Sequence, residues 1–362
     1  MPRSRIRSFQ ITDLTAELNQ PFRISSGQHD ELKNLLITIT LDDGTTGLGE
    51  AAVANHITGE TLAQARRNLW KAGELCVGRP VGTAQWISSN LHCRFAQNPA
   101  VIGAVDTALL DARTRHDRIP LWRYFGKTAR ALQSDVTIVL ADLEETRDSI
   151  NRFYRQGFRM FKVKIGRDLD RDIKRILLFK DLAPGCPVIV DANQGYTPAE
   201  MVRFVDQLKR RQARLDLIEQ PVPREDWQGL QEIERKTRIP VCADESARTL
   251  KDVHKIIKYK LCSAVNIKIM KCGLFHGQRI ARLCQDQGIR LMIGGMMESG
   301  IAMTASAHLA AGMGGFTYID LDTPFFIKGA VERHPYLSPS GRYTLGAVPA
   351  GIGLNRDQLY DG

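Results

Sequence analysis

The chain has 362 residues, 43% of them apolar and 25% charged, which suits a folded globular protein and excludes disordered and fibrous architectures. No apolar run approaches the roughly 18 residues of a membrane span, and the basic start Met1-Pro-Arg-Ser-Arg-Ile-Arg leads into no apolar stretch, so neither a membrane segment nor a signal peptide is expected. The net charge of +10 would suit a protein that binds anionic polymers, yet the basic residues are interleaved with acids on stretches such as Asp170-Arg-Asp-Ile-Lys-Arg-Ile, as on solvated helix faces.

In chain order, the first clear element is a hairpin. Leu35-Leu-Ile-Thr-Ile-Thr-Leu and Thr46-Gly-Leu-Gly-Glu flank an Asp-Gly turn. Helical spacing follows over residues 61–77 and 100–115. From residue 135, β-branched runs begin at Val136, Met160, Pro187, Leu215, Pro240, Ala264, Arg290 and Phe316, with helical stretches between them. One helix start is explicit: Thr197-Pro-Ala-Glu joins an N-cap, a first-turn proline and a capping-box glutamate. Residues 224–237 and 249–260 are further helices. Eight strands with seven intervening helices point to an α/β fold with a closed parallel barrel, preceded by an α+β domain that ends near residue 127. After Asp322 the chain is rich in Gly and Pro, with a late hairpin expected in Leu337-Ser-Pro-Ser-Gly-Arg-Tyr-Thr-Leu.

In such barrels the functional groups stand at the C-terminal ends of the strands. Lys162 and Lys164, Asp191, Glu219, Asp244, Lys268, Asp320 and Asp322 fall there. From Lys164, steps of 27, 28, 25 and 24 residues reach Asp191, Glu219, Asp244 and Lys268, one βα unit each, so these charges belong to successive strands. Three carboxylates on neighbouring strands repel one another unless a cation lies among them, and hard oxygen ligands with room for water or substrate suit Mg²⁺. Asn193 and Gln220 stand where they can orient water or ligand carboxylates. Lys162 and Lys164 share one strand face, an arrangement in which each lowers the other's proton affinity or an anion lies between them. Lys268 lies about four strands away, across the barrel. Two bases facing each other across a carbon suit removal of a proton from one face and its return on the other. Lys271 is expected to snorkel to the rim.

In this order and at these intervals, Lys162-Val-Lys, Val190-Asp-Ala-Asn, Ile218-Glu-Gln-Pro, Cys242-Ala-Asp-Glu-Ser and Val265-Asn-Ile-Lys resemble the enolase superfamily, muconate-lactonizing subgroup, over nearly the whole chain. The resemblance implies a (β/α)7β barrel over residues 128–325 under a capping domain of residues 1–127 that the tail 326–362 completes. It implies Asp191, Glu219 and Asp244 as ligands of one Mg²⁺ per active site, Lys164 and Lys268 as the acid/base pair, Lys162 as their helper, and Asn193, Gln220 and Glu245 as supports.

Three features resemble the dipeptide epimerases of that subgroup, whose best-known members act on Ala-Glu. Asp320-Leu-Asp322 is similar to the pair that binds the substrate's α-ammonium, and two carboxylates on one strand face suit an ammonium far better than a dianion. Ile57-Thr-Gly-Glu resembles a specificity segment of the cap, which brings Ile57 and Thr58 to the substrate. Gly294-Gly-Met-Met-Glu-Ser-Gly follows strand seven as in those enzymes, which brings Met297 and Glu298 there. Arg23, in Pro21-Phe-Arg-Ile-Ser-Ser-Gly-Gln, is near where some Ala-Glu epimerases hold the glutamate side chain, but its spacing leaves a neutral, hydrophobic or cationic second residue open. His29, Asp30 and Glu31 read as solvated loop charges. Gly273-Leu274 replaces a frequent Gly-Gly pair, so the loop there is expected to differ in shape.

The expected function is Mg²⁺-dependent epimerisation of a dipeptide at the α-carbon of its C-terminal residue, by two-lysine 1,1-proton transfer through an enolate. N-acylamino-acid racemisation, muconate-type cycloisomerisation and o-succinylbenzoate synthesis share the first step and remain open. The partner is then a small molecule, not nucleic acid or membrane, and a homo-oligomer is compatible with it. Seven scattered cysteines without a C-x-x-C pair suit the reducing cytoplasm.

Overall fold

A computed structural model describes residues 4–24, 27–166 and 168–356, and within them all but the side chain of His56. Ser25 and Ser26, in the segment that follows Arg23, lie outside the described residues, as do Met1 to Arg3 of the basic start.

The N-terminal sheet has three antiparallel strands, Ile6–Ile24, Gly27–Leu41 and Thr46–Ala51, in sequence order. The expected hairpin is its second half. The long first strand was not legible in the sequence: its eight apolar residues stand singly among polar ones, and it contains Pro21, which an edge strand tolerates because it needs no ladder N–H there. The register slips between Glu17 and Phe22, around that proline. Helix Leu62–Cys76 starts in a Thr61/Gln64 capping box, and helix Pro99–His116 packs against the third strand. Gly47 and Gly49 permit that contact, since a Cβ at either would lie 2.3 or 2.0 Å from a helix carbonyl, of Ala108 or Ala104.

All eight expected parallel strands are present, from Val136–Ile138 to Phe316–Ile319, in one sheet whose order follows the sequence. Its two ends meet: the Asp135 N–H donates to Ile319 O at 2.8 Å and the Leu321 N–H to Ser134 Oγ at 2.9 Å, closing the curl into a barrel. Seven helices, Leu143–Arg155 through Gly300–Met313, alternate with the strands. Strand alternation sorts the inward-facing side chains into layers. Ile189, Leu217, Cys242, Ala264, Met292 and Tyr318 form an apolar cluster. Two residues further along, the same faces carry Asp191, Glu219, Asp244, Asn266, Gly294 and Asp320. The apolar plug thus sets a floor under a charged mouth.

The tail returns to the N-terminal half. Leu121 N–H donates to Gly351 O at 2.7 Å, and Ile352 N–H to Asp111 Oδ1 at 2.7 Å. The late hairpin is a tight turn closed by Ser338 N–H to Arg342 O, and its second arm, Arg342–Tyr343, pairs with Leu132–Gln133. No helix among the described residues is long and apolar enough to cross a membrane.

Candidate active site

The charged mouth opens into a cleft between barrel and cap. Lys162, Lys164, Asn193, Lys268, Asp320 and Asp322 line it from the barrel, and Phe22, Ile24, His29, Ala54 and Ile57 from the cap. Parallel pairing puts Lys164 beside Asp191 and Asp191 beside Glu219, so three consecutive strands bring one amine and two carboxyl groups to neighbouring positions.

Both sequence alternatives for the lysine pair meet the geometry, and the second holds: an anion lies between them. Asp191 Oδ2 is 2.9 Å from Lys162 Nζ and 2.7 Å from Lys164 Nζ. Lys162 also reaches Glu219 Oε2 at 2.8 Å and Asp320 Oδ2 at 2.8 Å. Burial pulls the Lys162 pKa down, but Asp191, Asp320 and Glu219 outweigh it and hold the ammonium well above its ordinary range. Lys164 takes a second acceptor, Asn193 Oδ1, at 3.1 Å. Across the barrel, Lys268 Nζ lies 2.6 Å from Asp244 Oδ2, and that carboxylate raises its pKa against the opposing effect of burial.

The supports act through the strand ends. Gln220 Oε1 accepts the N–H groups of Asp244 and Ser246, both at 3.0 Å, and so clamps the neighbouring strand end. Gln220 and Asn193 hold left-handed backbone, φ +32° and +40°, unusual for residues other than glycine. Asn193 Nδ2 donates to Glu245 Oε1 at 3.4 Å, and Asn266 Nδ2 to Glu219 Oε1 at 2.8 Å. Lys271 corrects the expectation of a rim lysine: it is buried, and its ammonium binds Asp244 Oδ1 at 2.6 Å, Asp244 O at 2.7 Å and Asn266 O at 2.8 Å.

The donor set of Asp191, Glu219 and Asp244 fits a hard divalent cation. All three are fully buried, and among the described residues Glu219 Oε2 and Asp244 Oδ2 meet only the ammonium groups of Lys162 and Lys268. Burial together with the Asp191 charge pushes Glu219 up to about 7, and burial with the Asp244 charge pushes Glu245 up to about 8. The site therefore carries more carboxyl groups than its lysines can neutralise, an excess that a divalent cation relieves.

Two family profiles cover the chain. The mandelate racemase/muconate lactonizing enzyme N-terminal domain matches residues 6–126, and the enolase C-terminal domain-like profile matches residues 145–358. The chain belongs to the mandelate racemase/muconate lactonizing enzyme family.

Within this family, a hydrophobic dipeptide epimerase of Citrifermentans bemidjiense is 44% identical over 360 residues, covering 96% of this chain and 98% of its own. An aromatic dipeptide epimerase of Herpetosiphon aurantiacus is 36% identical over 97% of this chain and 98% of its own. The crystal structure of a dipeptide epimerase from Enterococcus faecalis, complexed with Mg and L-Leu-L-Tyr, superposes with a TM-score of 0.91 at 28% identity, over 96% of this chain and 99% of that one.

The remaining sequence candidates divide. Ile57 and Met297 line the cleft. Thr58 does not: its hydroxyl closes the short helix Asn55–Thr58 by donating to Ala54 O. Glu298 is buried, Oε1 accepting the Met296 N–H at 2.6 Å, and burial pushes its carboxyl up to about 8. Arg23 lies off the cleft, because strand alternation turns Phe22 and Ile24 inward and Arg23 outward, where it pairs with Glu145 at 3.2 Å. His29 is no solvated loop charge but a half-buried strand residue on the cleft wall, its pKa lowered by burial. Gly273 kinks helix Ile269–Asp286 at φ +70°, while Leu274 is buried, so only the first position of the expected Gly-Gly pair requires glycine. The sequence reading missed Asp135, fully buried beside Asp320 and Asp322, whose signal was a carboxylate two residues before Thr137 on the first strand's inward face.

Proposed function

We propose that this enzyme is an Mg²⁺-dependent epimerase of hydrophobic dipeptides that inverts the α-carbon of the C-terminal residue. The observation that carries this reading is that Lys164, Lys268 and the Asp320/Asp322 pair line one cleft. The relatives named for hydrophobic and aromatic dipeptides, and the Mg and L-Leu-L-Tyr complex, support it. So does the apolar wall of Phe22, Ile24, Ile57, Met296 and Met297, with no arginine among the described residues that line the cleft.

The dipeptide's α-ammonium meets Asp320 and Asp322, which directs the C-terminal α-carbon to the space between the lysines. Asp191, Glu219 and Asp244 would hold Mg²⁺, which when bound would supply positive charge for the substrate carboxylate and for the negative charge that develops as the α-proton leaves. Lys164 takes the proton of one isomer on one face, and Lys268 delivers a proton to the other face. For the opposite isomer the roles reverse. Lys162, held by Asp191, Glu219 and Asp320, keeps its proton and adds fixed positive charge beside the reacting carbon. Asn193 fixes the Lys164 ammonium by accepting from it.

The cap, residues 1–127 with 326–362, selects side chains and excludes water, while the barrel, residues 128–325, does the chemistry. The seven cysteines are all free, which fits a cytoplasmic enzyme.

Incubation in D₂O with Mg²⁺ and a mixture of L,L-dipeptides tests the reading. The expected result is a one-deuteron gain at the C-terminal α-carbon of hydrophobic members, with the D-epimer accumulating. No exchange in any dipeptide by folded, Mg²⁺-loaded enzyme would overturn it.

A further inference from the structure

Three carboxyl groups converge where the first and last barrel strands meet. Asp320 and Asp322 follow the strand Phe316–Ile319, and Asp135 precedes Val136–Ile138. One oxygen of each lies within 4.8 Å of the others. Two of the three are anchored. Asp320 Oδ2 accepts from Lys162 Nζ at 2.8 Å, and Asp322 Oδ2 accepts the Thr137 N–H at 2.5 Å. Asp135 differs: it is fully buried, and neither of its oxygens has a hydrogen-bond partner among the described residues. A buried carboxyl left without a partner is costly and calls for a cause.

The charges that bear on it are Asp320 and Asp322 from the last strand's end, Lys162 from strand Phe161–Lys164 and Glu219 from strand Leu217–Glu219. Lys162 is the one cation among them, and it is shared with Asp191 and Glu219. Three carboxylates this close do not all ionise, so the group retains a proton until a second positive charge enters.

We infer that Asp135 is the third carboxyl of the ammonium site, and that this site releases one proton when it takes up one dipeptide α-ammonium. The inference rests on the dipeptide reading above. The entering ammonium brings its unit charge to the place the proton held, and the proton passes to buffer. An N-acylated substrate brings no such charge and leaves the proton in place, so the exchange favours free amino termini. Burial and the neighbouring carboxylates push Asp135 well above the ordinary carboxyl range, and Asp322 to about 7, in keeping with a shared proton near neutrality. The Lys162 ammonium and the Thr137 N–H already address the group as donors, which matches another N–H donor better than a second metal ion.

The test is calorimetric titration of the full chain, saturated with Mg²⁺, with L-Leu-Gly, whose achiral C-terminal residue gives no heat of epimerisation. Two buffers of different ionisation enthalpy at one near-neutral pH yield the proton count. Wild type is expected to release about one proton per site, and Asp135→Asn clearly less than half of that. The variant should bind L-Leu-Gly about tenfold more weakly. N-acetyl-L-Leu-Gly should release none from either protein. Dipeptide binding without proton release by wild type, or an unchanged count in Asp135→Asn, overturns this inference alone. Failure of wild type to bind or exchange any dipeptide overturns the dipeptide reading itself. Should Asp135→Asn not fold, Asp135→Ser takes its place, and the wild-type count stands without either.

Discussion

The carboxylate of Glu50 accepts the backbone N–H of Ser299 at 2.9 Å, fastening the cap to the first turn of the helix after the seventh barrel strand. The same carboxylate takes the Ser299 hydroxyl and the Ala302 N–H, and Asn34 Nδ2 bridges Glu50 Oε1 at 2.6 Å to Met297 O at 2.9 Å. A carboxylate at a helix N-terminus meets unpaired N–H groups and a favourable dipole. Met296 and Met297, on the cleft wall, lie within three residues of this joint, so the seating of the cap and the shape of the substrate pocket are set together.

Glu50→Ala should therefore lower stability and blur selectivity at once. Several buried donors lose their acceptor, which predicts a loss of about 3 kcal/mol in urea unfolding. In competition between L-Leu-L-Tyr and L-Ala-L-Ala, the preference should shrink by about tenfold. Unaltered selectivity in a destabilised variant would show that the joint holds the cap without shaping the pocket.

Asp106 joins cap to barrel elsewhere. It reaches from helix Pro99–His116 to the kink at Gly273 and accepts the Phe275 N–H at 3.4 Å. Burial raises its carboxyl from 3.8 to about 7, against the smaller effect of its hydrogen bonds. Below 3.8 both folded and unfolded chains hold the proton; above it the unfolded chain ionises first, so stability falls as pH rises toward 7. Asp106→Asn removes this slope, and the variant should gain on wild type by up to about 1.4 kcal/mol per pH unit across that window. Urea unfolding of both proteins at several pH values measures it, and parallel curves would refute the assignment.

The barrel and its charged ring were legible because both obey short rules. Buried parallel strands read as β-branched runs, and one functional residue per βα unit gives the regular steps from Lys164 to Lys268. What escaped depends on which way a residue turns once distant segments meet. Arg23 sits between two cleft residues on a strand whose existence the sequence did not announce, so its outward face could not be assigned. Lys271 lies three residues after Lys268 at a helix start, and only the neighbouring strand end, with Asp244 O and Oδ1, draws it inward rather than to solvent. Asp135 belongs to no motif, and its meaning comes from the closure of the barrel that sets it against Asp320 and Asp322.

Lys271 gives a prediction about metal affinity. Its ammonium holds both the carboxylate and the carbonyl of Asp244, a proposed ligand, in place. Lys271→Met keeps much of the apolar stem and removes the charge, and should weaken Mg²⁺ binding by about 10- to 100-fold. Calorimetric titration with Mg²⁺ in the absence of dipeptide reads this directly. Wild-type affinity in a folded variant would mean that Asp244 needs no such support.

The two proposed bases differ in what their loss should remove. Lys164 and Lys268 stand on the second and sixth barrel strands and pair with different carboxylates, Asp191 and Asp244, and each is proposed to serve one face of the α-carbon. Epimerisation needs both, and either alanine variant should lose it by about a thousandfold or more. Exchange without inversion needs only one base, which removes the proton and returns a deuteron to the same face. One variant should therefore retain measurable exchange on L-Leu-L-Tyr and lose it on L-Leu-D-Tyr, while the other does the reverse. NMR of each pure isomer in D₂O separates the two patterns. Loss of exchange on both isomers in both variants would place the lysines in one concerted unit, and the assignment of one face to each would have to be abandoned.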